Sequence, residues 1–161
     1  MNKKGQLQQV FIYLMTMIIV GLIVLIGYKA IGGLINKGCD VEISTFQKTL
    51  ESYITKYSSF GSVHKETLNV PCSYKQICFV DTDIIGTNPF FYPDNTIIES
   101  SVKSNIEENI FLVSDKVTEP FGFMNEIVVE EGVICLNNTN GKFYIRFEGL
   151  GRRTAISSGV N

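Results

Sequence analysis

The sequence predicts an α+β fold, with an N-terminal transmembrane helix that continues or breaks into an amphipathic helix packed on an antiparallel β-sheet. Three observations support this prediction. Residues 5–28 carry no charge, residues 46–57 place apolar side chains at helical spacing, and the last third alternates apolar with polar residues. A chain of 161 residues has room for one ordinary domain and a short extra element.

The uncharged run of 24 residues is long enough to cross a bilayer, which takes roughly 20 apolar residues. Two alternatives are a cleaved secretory signal and a buried core helix. A signal peptide has an apolar region of about 7–15 residues followed by a small-x-small cleavage site, and "GYKAIGG" offers no such site. The sequence therefore favours a single membrane span, with lipid as a partner.

Charge divides the chain into two parts. Residues 1–37 carry four lysines and no acid, whereas residues 38–161 carry ten basic and sixteen acidic side chains. Phosphate binding needs clustered Lys and Arg. The acidic part therefore predicts no nucleic-acid partner.

The cysteines indicate where the larger part of the chain lies. All four follow the apolar run and none forms a CxxC pair, an even set typical of disulfides in an oxidising, extracytoplasmic space. Free buried thiols and a zinc site are the alternatives. Of the three possible pairings, we expect Cys72–Cys78 and Cys39–Cys135. Asn137 begins a glycosylation sequon that fits an external loop.

The N-terminus has a short basic leader that ends in glycine: Lys3, Lys4 and Gly5, followed by Gln6 and the apolar run. This arrangement resembles the leader of type IV pilins, especially their archaeal relatives. The resemblance implies that a prepilin-type peptidase cuts after Gly5, that the lysines are cytoplasmic, and that the helix later packs against copies of itself or other pilin-like subunits. One departure is Val10, where bacterial pilins usually carry a glutamate.

The layout is also similar to uncharacterised archaeal membrane proteins with one N-terminal helix and a small external domain containing "CFVD", here residues 78–81. That resemblance brings no known activity. It agrees with the pilin-like one in placing the domain after the helix outside the cell.

Four segments follow from these patterns: a basic leader at 1–5, a transmembrane helix at 6–36, an amphipathic stalk at 37–60 and a β-rich extracytoplasmic domain at 61–161. Glycines at 32, 33 and 38 predict a kink or break near 32–40. The apolar stripe of the stalk, which we expect to be buried against the sheet, is Phe46, Leu50, Tyr53, Ile54 and Tyr57.

The β-rich segment predicts a sheet of four to six strands. "TLNV", "QICFVD" and "NIFLV" are typical of strands, and "TIIESSVKSNIEE" indicates a helix. "GVICLNN", "GKFYIRFEG" and "RTAISS" predict a meander of three strands, with Asn140-Gly141 as a hairpin turn.

Few residues suggest chemistry. His64, the single histidine, lies in "GSVHKE", a predicted surface loop. Asp81 and Asp83 would share one face of a strand and could bind a cation, although solvated aspartates are commoner. We therefore assign no catalytic residue, cofactor or metal.

The loop "NPFFYPDN" is the best recognition candidate, because Phe90, Phe91 and Tyr92 are costly to expose without a partner. Folding back into the core is the alternative. The leading hypothesis is a non-enzymatic pilin-like subunit of an archaeal cell-surface filament or secretion-type assembly. A membrane-anchored binding module is the second, and an unrecognised envelope enzyme the third.

Overall fold

The computed structural model describes residues 3–86, 95–115 and 117–160. The chain divides into two compact units, Met1–Val41 and Glu42–Asn161. The described residues form an α+β protein with two helices and two four-stranded sheets. The predicted class is therefore confirmed, while the expected single sheet of four to six strands is wrong.

The first helix, α1, spans Lys3–Lys56 and shows no break at the glycines where we expected a kink. Its last residues belong to the second unit. There Phe46, Leu50, Ile54 and Tyr57 are buried and Tyr53 is half-buried against them. The prediction that this stripe is core is confirmed. Where α1 ends, the Thr154 hydroxyl donates a hydrogen bond of 2.8 Å to the Ile54 carbonyl, one of the carbonyls left without a helical partner.

Eight strands follow α1, and a short second helix, α2 (Thr96–Lys103), lies among them. The strands are β1 (Val63–Asn69), β2 (Gln76–Val80), β3 (Ile110–Val113), β4 (Thr118–Gly122), β5 (Ile127–Val128), β6 (Val133–Asn137), β7 (Lys142–Gly149) and β8 (Thr154–Ser158). Sheet A has the order β1-β7-β8-β5, and sheet B has the order β4-β3-β2-β6. All pairs are antiparallel except β5 with β8.

The predicted meander of β6, β7 and β8 is correct for β7 with β8, which pair antiparallel, and wrong for β6 with β7, although the turn between those two strands is confirmed. Asn140 and Gly141 have φ angles of 55° and 77°, as a two-residue hairpin turn with both central residues left-handed requires. Beyond the bridge between Thr139 and Lys142 the two strands separate. β6 pairs with β2 in sheet B, and β7 pairs with β1 and β8 in sheet A.

The main core lies where the end of α1 meets both sheets. Phe143, Ile145 and Phe147 of β7 are fully buried there, and Phe46 contacts Phe143 at a ring-centroid distance of 6.0 Å. The opposite face of sheet B packs on α2 through Ile98 and Val102. Alternation along the strands thus gives sheet B two covered faces, while the main core covers one face of sheet A.

Gly149, at the end of β7, lies directly against the end of α1. A β-carbon at this position would come within 2.0 Å of the Ser59 carbonyl oxygen and 2.5 Å of the Tyr57 carbonyl oxygen. The Gly149 amide donates to the Ser62 carbonyl, and its carbonyl accepts from the Gly61 amide. The absent side chain is what allows this close backbone contact.

Candidate functional site

The apolar segment Phe11–Lys29 is long and apolar enough to cross a membrane, with a mean hydropathy of 2.5 and no residue of its span buried. Residues 11–26 are apolar around the helix, apart from Thr16, and nearly all are exposed; Met17, for example, is 82% exposed. A helix that lies on a membrane surface would instead have one strongly polar face. The segment is therefore suited to cross a membrane rather than to lie on its surface.

The predicted processing residues lie at the start of the same helix. Lys3, Lys4, Gly5 and Gln6 fall in the first turns of α1, so the bond between Gly5 and Gln6 is in helical backbone. Cleavage at this bond stays a prediction.

All four cysteines are in disulfides, but the predicted pairing is wrong. Cys78 is bonded to Cys135 and their Cα atoms are 4.0 Å apart. The reason is the strand register, which places Cys78 of β2 directly opposite Cys135 of β6. Cys39 and Cys72 are disulfide-bonded as well. Two disulfides fit an oxidising compartment for this part of the chain.

Asp81, the last residue of the "CFVD" motif, has a structural role. Its carboxylate is buried and accepts hydrogen bonds from the Asp83 amide at 2.8 Å and the Val129 amide at 2.7 Å. Its own amide donates to the Gly132 carbonyl. These bonds attach the end of β2 to the turn before β6, and both carboxylate oxygens are already in use.

We expected Asp83 to share one face of a strand with Asp81, and this prediction is wrong. Asp83 instead lies in a 3-10 turn, Thr82–Ile84. There its carboxylate accepts two hydrogen bonds of 3.1 Å from the Arg153 guanidinium. Within the described ranges, no group of three or more His, Cys, Asp and Glu residues could hold a metal ion.

His64 lies in β1 rather than in the predicted loop, with its ring stacked on Tyr57 at a centroid distance of 4.1 Å. The Tyr57 hydroxyl donates to the Glu66 carboxylate, and this bond raises the pKa of Tyr57. Among the described residues, no serine or cysteine side chain forms a hydrogen bond with His64. The arrangement is that of a packed strand edge.

A shallow cleft of about 210 Å³ lies beside the last turns of α1. Buried Ile54 and Met124 line its floor, and exposed Glu51 and Glu126 are on its rim. Thr55 and Asn125 complete the lining. The cleft is smaller than the roughly 300–1,000 Å³ of most small-molecule sites, so it would take at most a small group.

Asn137 ends β6 and is exposed, as a glycosylation site must be, and its side-chain oxygen accepts a hydrogen bond from Gln76 at 2.7 Å. The predicted recognition residues Phe90, Phe91 and Tyr92 lie outside the described residues.

Sequence reasoning missed one surface, which we call the outer face of sheet A. It consists of the odd-numbered residues 63–69 of β1, the even-numbered residues 142–148 of β7, and Ala155 and Ser157 of β8. None of these residues is buried, whereas their neighbours Phe143, Ile145 and Phe147 point into the core. The signal was present in "GKFYIRFEG", where lysine, tyrosine, arginine and glutamate alternate with apolar residues.

No protein-family model, curated protein or solved structure matches this chain.

Proposed function

We propose that the chain is a non-enzymatic, pilin-like subunit of an archaeal surface filament or secretion-type assembly. The observation that supports this proposal is the difference between the two ends of α1. Its early residues, 11–29, expose apolar side chains, whereas its stripe at 46–57 is buried within the chain's own domain. The second part therefore fixes the helix to the folded domain, and the first part stays available for lipid or for copies of itself.

The leader gives this proposal its direction. Lysines flank the apolar run on both sides, so the pilin-like resemblance, rather than the charge count, places Lys3 and Lys4 in the cytoplasm, and the two disulfides suit a domain outside. Removal of residues 1–5 would leave the apolar helix intact. The helix would then leave the bilayer laterally and pack in a filament core, where apolar side chains of other copies would replace the lipid around it.

The test is the intact mass of the protein isolated from membranes that contain an active prepilin-type peptidase. We expect the wild type to lack its first five residues. Gly5→Leu should retain them, because a bulky side chain at the cleavage site blocks the peptidase. Gly38→Leu is a matched control on the same helix with open space around its Cα, and it should be processed like the wild type. A wild-type protein that keeps Met1 would contradict the proposal.

The cleft beside α1 favours a second candidate function, a permanently anchored extracytoplasmic binding module. Its apolar floor and acidic rim suit a small ligand with a cationic group. Retained Met1, together with ligand binding that is lost in Glu126→Gln, would support this function over the filament.

A further inference from the structure

The outer face of sheet A differs in charge from the rest of the domain. It carries three basic residues, Lys65, Lys142 and Arg146, and one acidic residue, Glu148. The remainder of residues 38–161 has seven basic and fifteen acidic side chains. A positive sheet face thus belongs to a domain whose other surfaces are strongly negative.

The register brings these cations together. Lys65 of β1 is directly opposite Arg146 of β7, and Asn69 is opposite Lys142. Like charges opposite each other across a strand pair are unfavourable. Glu148 binds Arg146 at 2.7 Å. This single carboxylate offsets only one of the three basic residues, so the face retains a net positive charge. The face is therefore a positive surface that is complementary to exposed carboxylates on another molecule.

The turn before β6 carries two such carboxylates side by side. Glu130 and Glu131 are both exposed. The turn is closed by a hydrogen bond of 2.9 Å from the Gly132 amide to the Val129 carbonyl, and it is attached to Asp81 on both sides. The two carboxylates are therefore carried by a backbone that is fixed before any partner arrives.

We propose that the outer face of sheet A docks on the Glu130-Glu131 turn of a second copy of this chain. Because the two surfaces differ, every copy carries one of each, and the contact repeats from copy to copy. This inference rests on the proposed function, since it names the contact by which the external domains of neighbouring subunits recognise one another.

The size of the face indicates how the contact must be measured. Three strands about 4.8 Å apart make it about 10 Å wide, and the length of β1 makes it about 23 Å long. A face this small belongs to the weak class of interfaces. Anchoring in one bilayer raises the effective concentration of the copies. The experiment therefore uses the full chain in vesicles.

Full-length protein, as an equal mixture of ¹⁴N- and ¹⁵N-labelled chains, is reconstituted in phosphatidylcholine vesicles and treated with a zero-length carbodiimide, which joins lysines to carboxylates. Mixed-isotope peptides identify links between copies. We expect Lys65 or Lys142 linked to Glu130 or Glu131, with a yield that falls at high salt because exposed charges are screened.

Charge reversal provides the decisive comparison. K65E/K142E and E130K/E131K each remove one of the two groups that the carbodiimide joins, so neither variant should give the link between the two surfaces. Combining the four changes should restore it with the linked residues exchanged. Lys48→Glu, an exposed lysine on α1, is the matched control and should have no effect.

Absence of these links in the wild type, or failure of the combined variant to recover them, would overturn the proposal. So would protection of Lys65 and Lys142 by phosphatidylglycerol vesicles without any link between copies, since the face would then bind anionic headgroups. The leader-processing assay is independent of these outcomes. A processed protein without the links would overturn the interface and leave the proposed function standing.

Discussion

Replacement of Leu50 by alanine tests whether the stripe of α1 is core. Leu50 has no exposed surface and lies among the apolar side chains of both sheets. Losing three carbon atoms costs about 2.4 kcal/mol at about 0.8 kcal/mol each. The cavity left behind raises the expected cost to about 3–5 kcal/mol. For a domain of this size, that corresponds to a fall in the melting temperature of about 12–20 °C.

The assay is thermal unfolding of the full chain in detergent, followed by near-ultraviolet circular dichroism with the disulfides intact. Leu150→Ala removes the same atoms from a side chain that is 46% exposed, and it should cost less than about 1 kcal/mol. Equal shifts for the two variants, or an unchanged melting temperature for Leu50→Ala, would refute the assignment of the stripe to the core. The stripe would then be a surface that contacts other subunits.

Three further predictions concern the external domain. Replacing Cys78 and Cys135 together by alanine should lower the free energy of unfolding by about 4 kcal/mol, the chain-entropy value for a sequence separation of 57. Chemical denaturation measures this change. A Cys72–Cys78 peptide in a non-reducing digest would contradict the pairing. Asp81→Ala should lower the free energy of unfolding by about 2–4 kcal/mol, because two backbone amides lose their acceptor. Asp83→Ala should lower it by less than about 1 kcal/mol, because the ion pair of Asp83 is exposed. Equal losses for the two variants would contradict this interpretation. Burial and the bond to Glu119 raise the pKa of Tyr74 from 10.0 to about 12, so the folded state holds this proton more tightly than the unfolded state does. That contribution is complete below pH 10 and is lost as the pH rises towards 12, and Tyr74→Phe should flatten the fall in stability over this range.

The sequence was most informative where one periodicity dominated. The apolar positions from Phe46 to Tyr57 repeat at helical spacing, and they are buried in the structure. Asn140-Gly141 specified its turn because both residues tolerate positive φ. Such signals are local, and they do not depend on what the segment meets later in the chain.

Pairing between distant segments was not readable in the same way. Cys72 and Cys78 are close in sequence, but strand β2 carries Cys78 to a position opposite Cys135. The strands on either side of Asn140-Gly141 diverge because β2 pairs with the first and β1 pairs with the second. The outer face of sheet A was missed for a related reason, since alternation shows that a strand has two faces and does not show which face another element covers.

The contact at Gly149 bears on how relatives of this chain would be recognised. Even alanine would place its β-carbon 2.0 Å from a carbonyl oxygen, a distance that no small adjustment of a side chain relieves. We therefore expect any protein with this fold to keep glycine at the last position of the strand that meets the end of its long helix, however far the rest of the sequence has diverged. Together with two facing cysteines on neighbouring strands, that glycine gives a three-position signature for finding distant relatives.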